Sequence, residues 1–149
     1  MLPKVIRPAN ANRREVRIRP IEGAGHLVLR ETGNLTELVA GNVVLLSSAA
    51  LGTELAFGKL GATLGRGSPR RIVIGGLGFG AALRGALDVA TPDARIVVVE
   101  KVEAVIRLVH GPMASVSGGA LDDPRVKLVR GDVSEVIARS TADIDLVLL

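Results

Sequence analysis

The chain of 149 residues contains no cysteine, no tryptophan and no tyrosine, and only two phenylalanines. Without thiols it has no disulfides and no thiolate metal sites, a composition compatible with a cytoplasmic home. Without tyrosine, any mechanism that needs a phenolic proton donor within this chain is excluded. Without a set of aromatics there is no platform for stacking bases, which makes nucleic acid the weakest candidate partner. Long hydrophobic runs are lacking too. No stretch approaches the ~20 apolar residues of a membrane span, and the first ten residues have no apolar core of the length a secretory signal needs. The apolar run 38–46 is broken by Gly41-Asn42 and reads as paired strands.

What is present is a chain that is 48% apolar, long enough for one domain with a real core, which must be built from Val, Leu, Ile and Ala. The net charge of +4 is uneven. Residues 1–20 hold Lys4, Arg7, Arg13, Arg14, Arg17 and Arg19 against Glu15 alone, and the rest of the chain is close to neutral. Such a basic leader can touch nucleic acid or acidic lipid by counterion release, but its plainer reading is a solvated terminus.

Three segments follow from the local patterns. Residues 1–13, with two prolines and scattered arginines, read as an irregular leader. Residues 14–65 read as a small antiparallel β-meander with strands at 15–19, 26–31, 37–40 and 43–46, the last pair joined at Gly41-Asn42, and then a helix over 50–60. Val16 and Ile18 would share one face of the first strand, Ser47-Ser48 would cap the helix, and Leu51, Leu55 and Ala56 would form its inner face. After a Gly/Arg/Ser/Pro linker, residues 66–149 alternate strand and helix. Strands are expected at 71–74, 95–100, 126–129 and 144–149, and helices at 81–89, 102–109 and 133–139. That alternation predicts βαβ units and a parallel sheet, so the fold class is α/β, a parallel sheet preceded by a small meander.

The segment Gly75-Gly76-Leu77-Gly78-Phe79-Gly80 follows a strand and opens a helix. In that setting glycines let the backbone turn sharply and let a ligand approach the main chain, while free N–H groups at the helix start favour anionic or polar groups. Glu100 ends the next strand, 24 residues after Gly76, where a carboxylate can accept hydrogen bonds from both hydroxyls of a ribose. Asp132, after Gly131, follows the third strand and could accept a hydrogen bond from the exocyclic amine of adenine, with Val133 beside the ring. Equally, each acid could be a solvated strand end, and Asp132 could simply cap the next helix. The loop letters fit two nucleotide classes: Gly76-x-Gly78-x-x-Ala81 satisfies a dinucleotide fingerprint, and Gly76-x-Gly78-x-Gly80 the S-adenosyl form. About 70 residues precede the first parallel strand, and Gly131-Asp132 follows the third; both features favour the S-adenosyl side.

Residues 71–87, 96–100 and above all 121–132 (Leu-Asp-Asp-Pro-Arg-Val-Lys-Leu-Val-Arg-Gly-Asp) resemble the spermidine synthase family, in particular its short bacterial spermidine synthase-like members. The resemblance is good over 70–149 and weaker over 14–65. It implies a Rossmann-like sheet of the class I methyltransferase type and, as ligand, S-adenosylmethionine or decarboxylated S-adenosylmethionine, with no metal. Carried over, Gly76, Gly78 and Gly80 would line the ligand, Glu100 would hold the ribose, and Asp132 with Val133 the adenine. The reaction implied is aminopropyl transfer to a small-molecule amine; methyl transfer and non-catalytic nucleotide binding are the alternatives.

The family's catalytic set has no counterpart. The resemblance implies a catalytic aspartate just after the fourth strand, whose place falls beyond Leu149, and tyrosines that this sequence lacks. Asp145 lies at the start of that strand, the wrong end of the sheet, and no residue is nominated as catalytic. His110 reads as a surface histidine. An apolar strand at the very end is expected to mark truncation, or else a degenerate relative that dimerises to hide the exposed face, and the chain alone is expected to be inactive in aminopropyl transfer.

Overall fold

The computed structural model describes residues 13–21, 25–64, 67–141 and 143–149. Most of the basic leader, part of the turn expected at 23–25 and the start of the linker lie outside the described residues, as do the side chains of Val16 and Ile18. The chain divides into two compact units, Met1–Ser48 and Ala49–Leu149.

The first unit is a four-stranded antiparallel meander in sequential order: β1 (Arg13–Ile21), β2 (Gly25–Thr32), β3 (Leu35–Ala40) and β4 (Val43–Ser47). The connections at Gly33-Asn34 and Gly41-Asn42 each place a glycine with positive φ first, at 61° and 58°, and no non-glycine residue takes positive φ among those described. That pattern is a II′ hairpin turn, whose twist matches the strands it joins. Leu27, Leu29, Leu38 and Val39 form the buried side, with Leu29 directly opposite Leu38. Consecutive burial of Leu38 and Val39 breaks the strict alternation, and the β3–β4 register shifts at that step.

The second unit opens with a 3-10 turn (Ser48–Ala50 in full) and α1 (Leu51–Leu64). Three expectations change here. The Ser48 hydroxyl accepts the Thr36 N–H of β3 at 2.9 Å, a partner that the local pattern did not suggest. Gly58 and Ala62 are the buried positions of α1, whereas Leu51 and Leu55 are half-buried and Ala56 is exposed. And α1 belongs to the second compact unit, where it packs on α2, whereas the sequence pattern grouped it with the meander. The cause is close approach through glycine. A Cβ added to Gly58 would stand 2.0 Å from the Ala82 carbonyl oxygen, and one on Gly85 would stand 2.1 Å from that of Leu55.

The remaining elements are β5 (Arg71–Gly75), α2 (Ala81–Val89), β6 (Arg95–Glu100), α3 (Glu103–His110), β7 (Val126–Arg130), α4 (Val133–Ala138) and β8 (Leu146–Leu148). Their strands form one parallel sheet in the order β7-β6-β5-β8. Ile72, Val73, Ile74, Ile96, Val98 and Val99 are buried, as the near-continuous apolar runs of strands covered on both faces require. The fold is α/β, Rossmann-like and of the class I methyltransferase type, preceded by a separate antiparallel meander.

Two acids fix the ends of this sheet away from the glycine loop. Asp145 accepts the backbone N–H groups of Arg70 and Arg71, both at 2.8 Å, and so aligns the starts of β5 and β8. Asp123 holds Arg125 through paired 2.9 Å bonds, and the same guanidinium donates to the carbonyls of Leu87 and Ala90 at 3.3 and 3.1 Å. A cation there meets the unpaired carbonyls and the negative end of α2. The Asp-Pro-Arg-Val run is therefore a clamp between the β7 loop and the end of α2.

Two outcomes are expected. Gly85→Ala should lower unfolding stability in urea by at least about 2 kcal/mol, since the backbone of α1 must move, whereas Gly52→Ala, where nothing stands within 4 Å, should be neutral or stabilising by up to about 1 kcal/mol. The hydrogen bonds from Arg125 hold the Asp123 carboxyl down at about 2 from an ordinary 3.8. Its contribution to stability is thus complete above pH 3.8 and is lost as pH falls towards 2. Asp123→Asn should flatten the stability curve over that range and cost about 1–3 kcal/mol at neutral pH, measured by denaturant titration across pH.

Candidate functional site

The ends of β5, β6 and β7 meet at the carboxyl edge of the sheet, where open α/β folds place ligands. The backbone leaves β5 with Gly76 at φ 91°, its N–H still bonded to the Val99 carbonyl of β6 at 2.8 Å. Leu77 and Phe79 point into the core, 4% and 1% exposed, so the loop is plugged by its apolar residues while the intervening glycines turn the chain. Gly80, at φ 83°, precedes α2 and closes the turn by donating its N–H to Leu77.

Glu100 is one of two buried polar residues among those described, at 8% exposed. Its Oε2 accepts the Leu77 N–H at 2.8 Å, and its Oε1 accepts the Val102 N–H at 2.7 Å. These are charge-assisted bonds, which is how a carboxylate tolerates burial. Each oxygen retains a second accepting position, so the group can still receive two hydroxyl donors.

Asp132 caps α4. Its Oδ1 accepts the Ser134 N–H at 2.9 Å and the Ser134 hydroxyl at 2.6 Å, while Oδ2 stands 3.5 Å from the Lys101 ammonium. The Ser134 hydroxyl, the Ser134 N–H and then Lys101 hold the Asp132 carboxyl below its usual range. The carboxylate is therefore ionised at neutral pH, an acceptor and not a donor.

Gly76, Glu100, Asp132 and Val133 line one open cavity of about 170 Å³, together with Val99, Lys101 and Gly131. It is smaller than the several hundred cubic ångströms of a drug-sized site, so a whole nucleoside would extend out of it. Gly78 and Gly80 are not among its walls. Gly80 is buried under Ser117, whose Cβ would lie 2.7 Å from a Cβ at that position. Both glycines turn the loop, at φ 54° and 83°. His110 is exposed at the end of α3, and no group of three metal-ligating side chains occurs among the described residues. The sequence reading missed Lys101, which contributes a cation to a site whose other two charged walls, Glu100 and Asp132, are acids, and the main-chain donors Leu77 and Val102. A strand-end acid two residues before a helix start was the one local signal for the second of these.

No family model matches the chain. A polyamine aminopropyltransferase of Korarchaeum cryptofilum (strain OPF8) is 34% identical over 82 residues, 55% of this chain and 25% of the relative. A crystal structure of spermidine synthase in complex with the transition-state analogue AdoDATO superposes with a TM-score of 0.72 at 16% identity, over 89% of this chain and 44% of that one. Spermidine synthase from Thermotoga maritima gives the same score and coverage at 17% identity. The chain thus spans a quarter of the curated relative and less than half of the solved ones. The fold is that of a Rossmann-like domain of the class I methyltransferase type. The chain is similar over 82 residues to a polyamine aminopropyltransferase and in fold to spermidine synthases.

Because the Asp132 carboxyl is lowered, its cap is complete above the ordinary carboxylate range and is lost as pH falls through the depressed value. Acidification should release the Ser134 amide before the sheet unfolds, seen as faster hydrogen exchange at Ser134 than at Val98.

Proposed function

We propose that this segment binds an S-adenosyl compound, decarboxylated S-adenosylmethionine or S-adenosylmethionine, as the nucleotide-holding part of an aminopropyltransferase-like protein. The observation that carries the reading is the convergence of Gly76, Glu100, Asp132 and Val133, from three successive strand ends, on one cavity. Glu100 would take the ribose hydroxyls on its free accepting positions, Asp132 the adenine amine, and Val133 would flank the ring; Gly76, with no atom within 4 Å of where a side chain would begin, leaves room for close approach. The name of the curated relative and the AdoDATO held by the solved one support the ligand class.

Aminopropyl transfer is proposed for the whole protein. A small-molecule amine would attack the carbon beside the sulfonium, a C–N bond forming as the C–S bond breaks, the thioether leaving and the amine losing a proton. Positioning of the sulfonium is this segment's share of that step, and no residue here is assigned as the base. The lack of cysteine and the absence, among the described residues, of a helix long and apolar enough to cross a membrane are compatible with a cytoplasmic setting.

Calorimetric titration with S-adenosylmethionine, its decarboxylated form and NAD tests the reading. An S-adenosyl compound should bind, and Glu100→Ala should weaken it at least several-fold. Tight NAD binding with no S-adenosyl binding would overturn it.

A further inference from the structure

The three loops that wall the cavity share one residue. The Glu100 carboxylate takes the Leu77 N–H of the glycine loop and the Val102 N–H at the start of α3, at 2.8 and 2.7 Å. Its backbone carbonyl accepts the Gly131 N–H of the loop after β7, at 3.1 Å. The wall residues Gly76 and Lys101 each adjoin one of these bonded groups, and Gly131 makes one of them itself. Removing the carboxylate would leave two main-chain donors without the acceptor that now holds them.

We infer that Glu100 is a positioning residue that assembles the cavity before any ligand arrives, in addition to the ribose contact of the proposed function, on which the ligand half of this inference rests. The Leu77 and Val102 donors take one accepting position on each carboxylate oxygen, which leaves one on each for an incoming donor. A carboxylate held at both oxygens cannot swing aside, so the glycine loop is already in its binding shape and ordering it at binding is avoided. Other acids nearby do not share this duty: Asp132 is tied to its own helix start, and Glu103 pairs with Arg107 and Arg130 at 2.8 and 2.7 Å.

Nuclear magnetic resonance on the ligand-free chain separates this from a ribose contact alone. Leu77 and Val102 amide nitrogens should show scalar coupling across the hydrogen bond to the Glu100 carboxylate carbon, a signature that mere packing does not produce. Their exchange with solvent should be slowed in the wild type. Glu100→Gln keeps one acceptor and turns an NH₂ towards the other donor, so it should speed exchange at one of the two amides by at least about ten-fold. Glu100→Ala should speed both, with Ile74 and Val98 unchanged as a check on folding; if the alanine variant does not fold, the glutamine variant and the wild-type couplings decide. Leu77 and Val102 amides that are unprotected and uncoupled in the wild type would overturn the inference, even if S-adenosylmethionine binds. Protected, coupled amides in a chain that binds no S-adenosyl compound would leave the assembly role standing and remove the proposed ligand.

Discussion

A carboxylate is kept almost out of water at the end of β6, and hydrogen bonds must replace the hydration it loses there. The Leu77 and Val102 amides supply them, and their positions fix where the chain goes after β5 and before α3. Much of the site follows from that constraint. The glycine loop has Leu77 and Phe79 sunk in the core as anchors, and its polar main chain is drawn towards Glu100. The cavity is what remains between the strand ends once those groups are satisfied.

A core whose one aromatic side chain is Phe79, Phe57 being exposed, must reach native density with small side chains, and the α1–α2 contact shows how. Gly58 and Gly85 let each helix press against a carbonyl of the other, which aliphatic bulk would prevent. The same economy places Ser117 over Gly80, so a buried hydroxyl satisfied by the Ala114 carbonyl closes the back of the glycine loop.

Charged groups divide between holding the fold and facing the cavity. Asp145 and the Asp123–Arg125 pair work on strand starts and on the end of α2, away from the cavity walls. The Asp-Pro-Arg-Val part of the run that most strongly carried the family resemblance is therefore structural, whereas its Gly131-Asp132 end lines the cavity. It is distinctive because a guanidinium bridging one carboxylate and two carbonyls tolerates few substitutes. Asp132 belongs to both groups: one oxygen starts α4 and the other faces Lys101 and the cavity. Capping and ligand contact, alternatives when only the sequence is considered, are compatible in one side chain because a carboxylate has two oxygens.

The parallel βαβ alternation, the positive-φ hairpin glycines and the placing of Gly76, Glu100 and Asp132 at successive strand ends were determined by the sequence itself. Each depends on residues close together along the chain: apolar periodicity, a glycine where φ must be positive, an acid where a strand stops. Tertiary structure alone decided the features that depend on residues remote in sequence. Ser48 bonds to Thr36, twelve residues away on β3. The inner face of α1 is set by α2, which moved the helix from the meander to the second unit. Gly80 lies under Ser117, 37 residues later in the chain, and is not among the cavity's walls. Glu100 shows the difference most plainly. Its place at a strand end is local and readable, but its partner Leu77 is 23 residues earlier, and only the pairing of β5 with β6 brings that amide to the carboxylate.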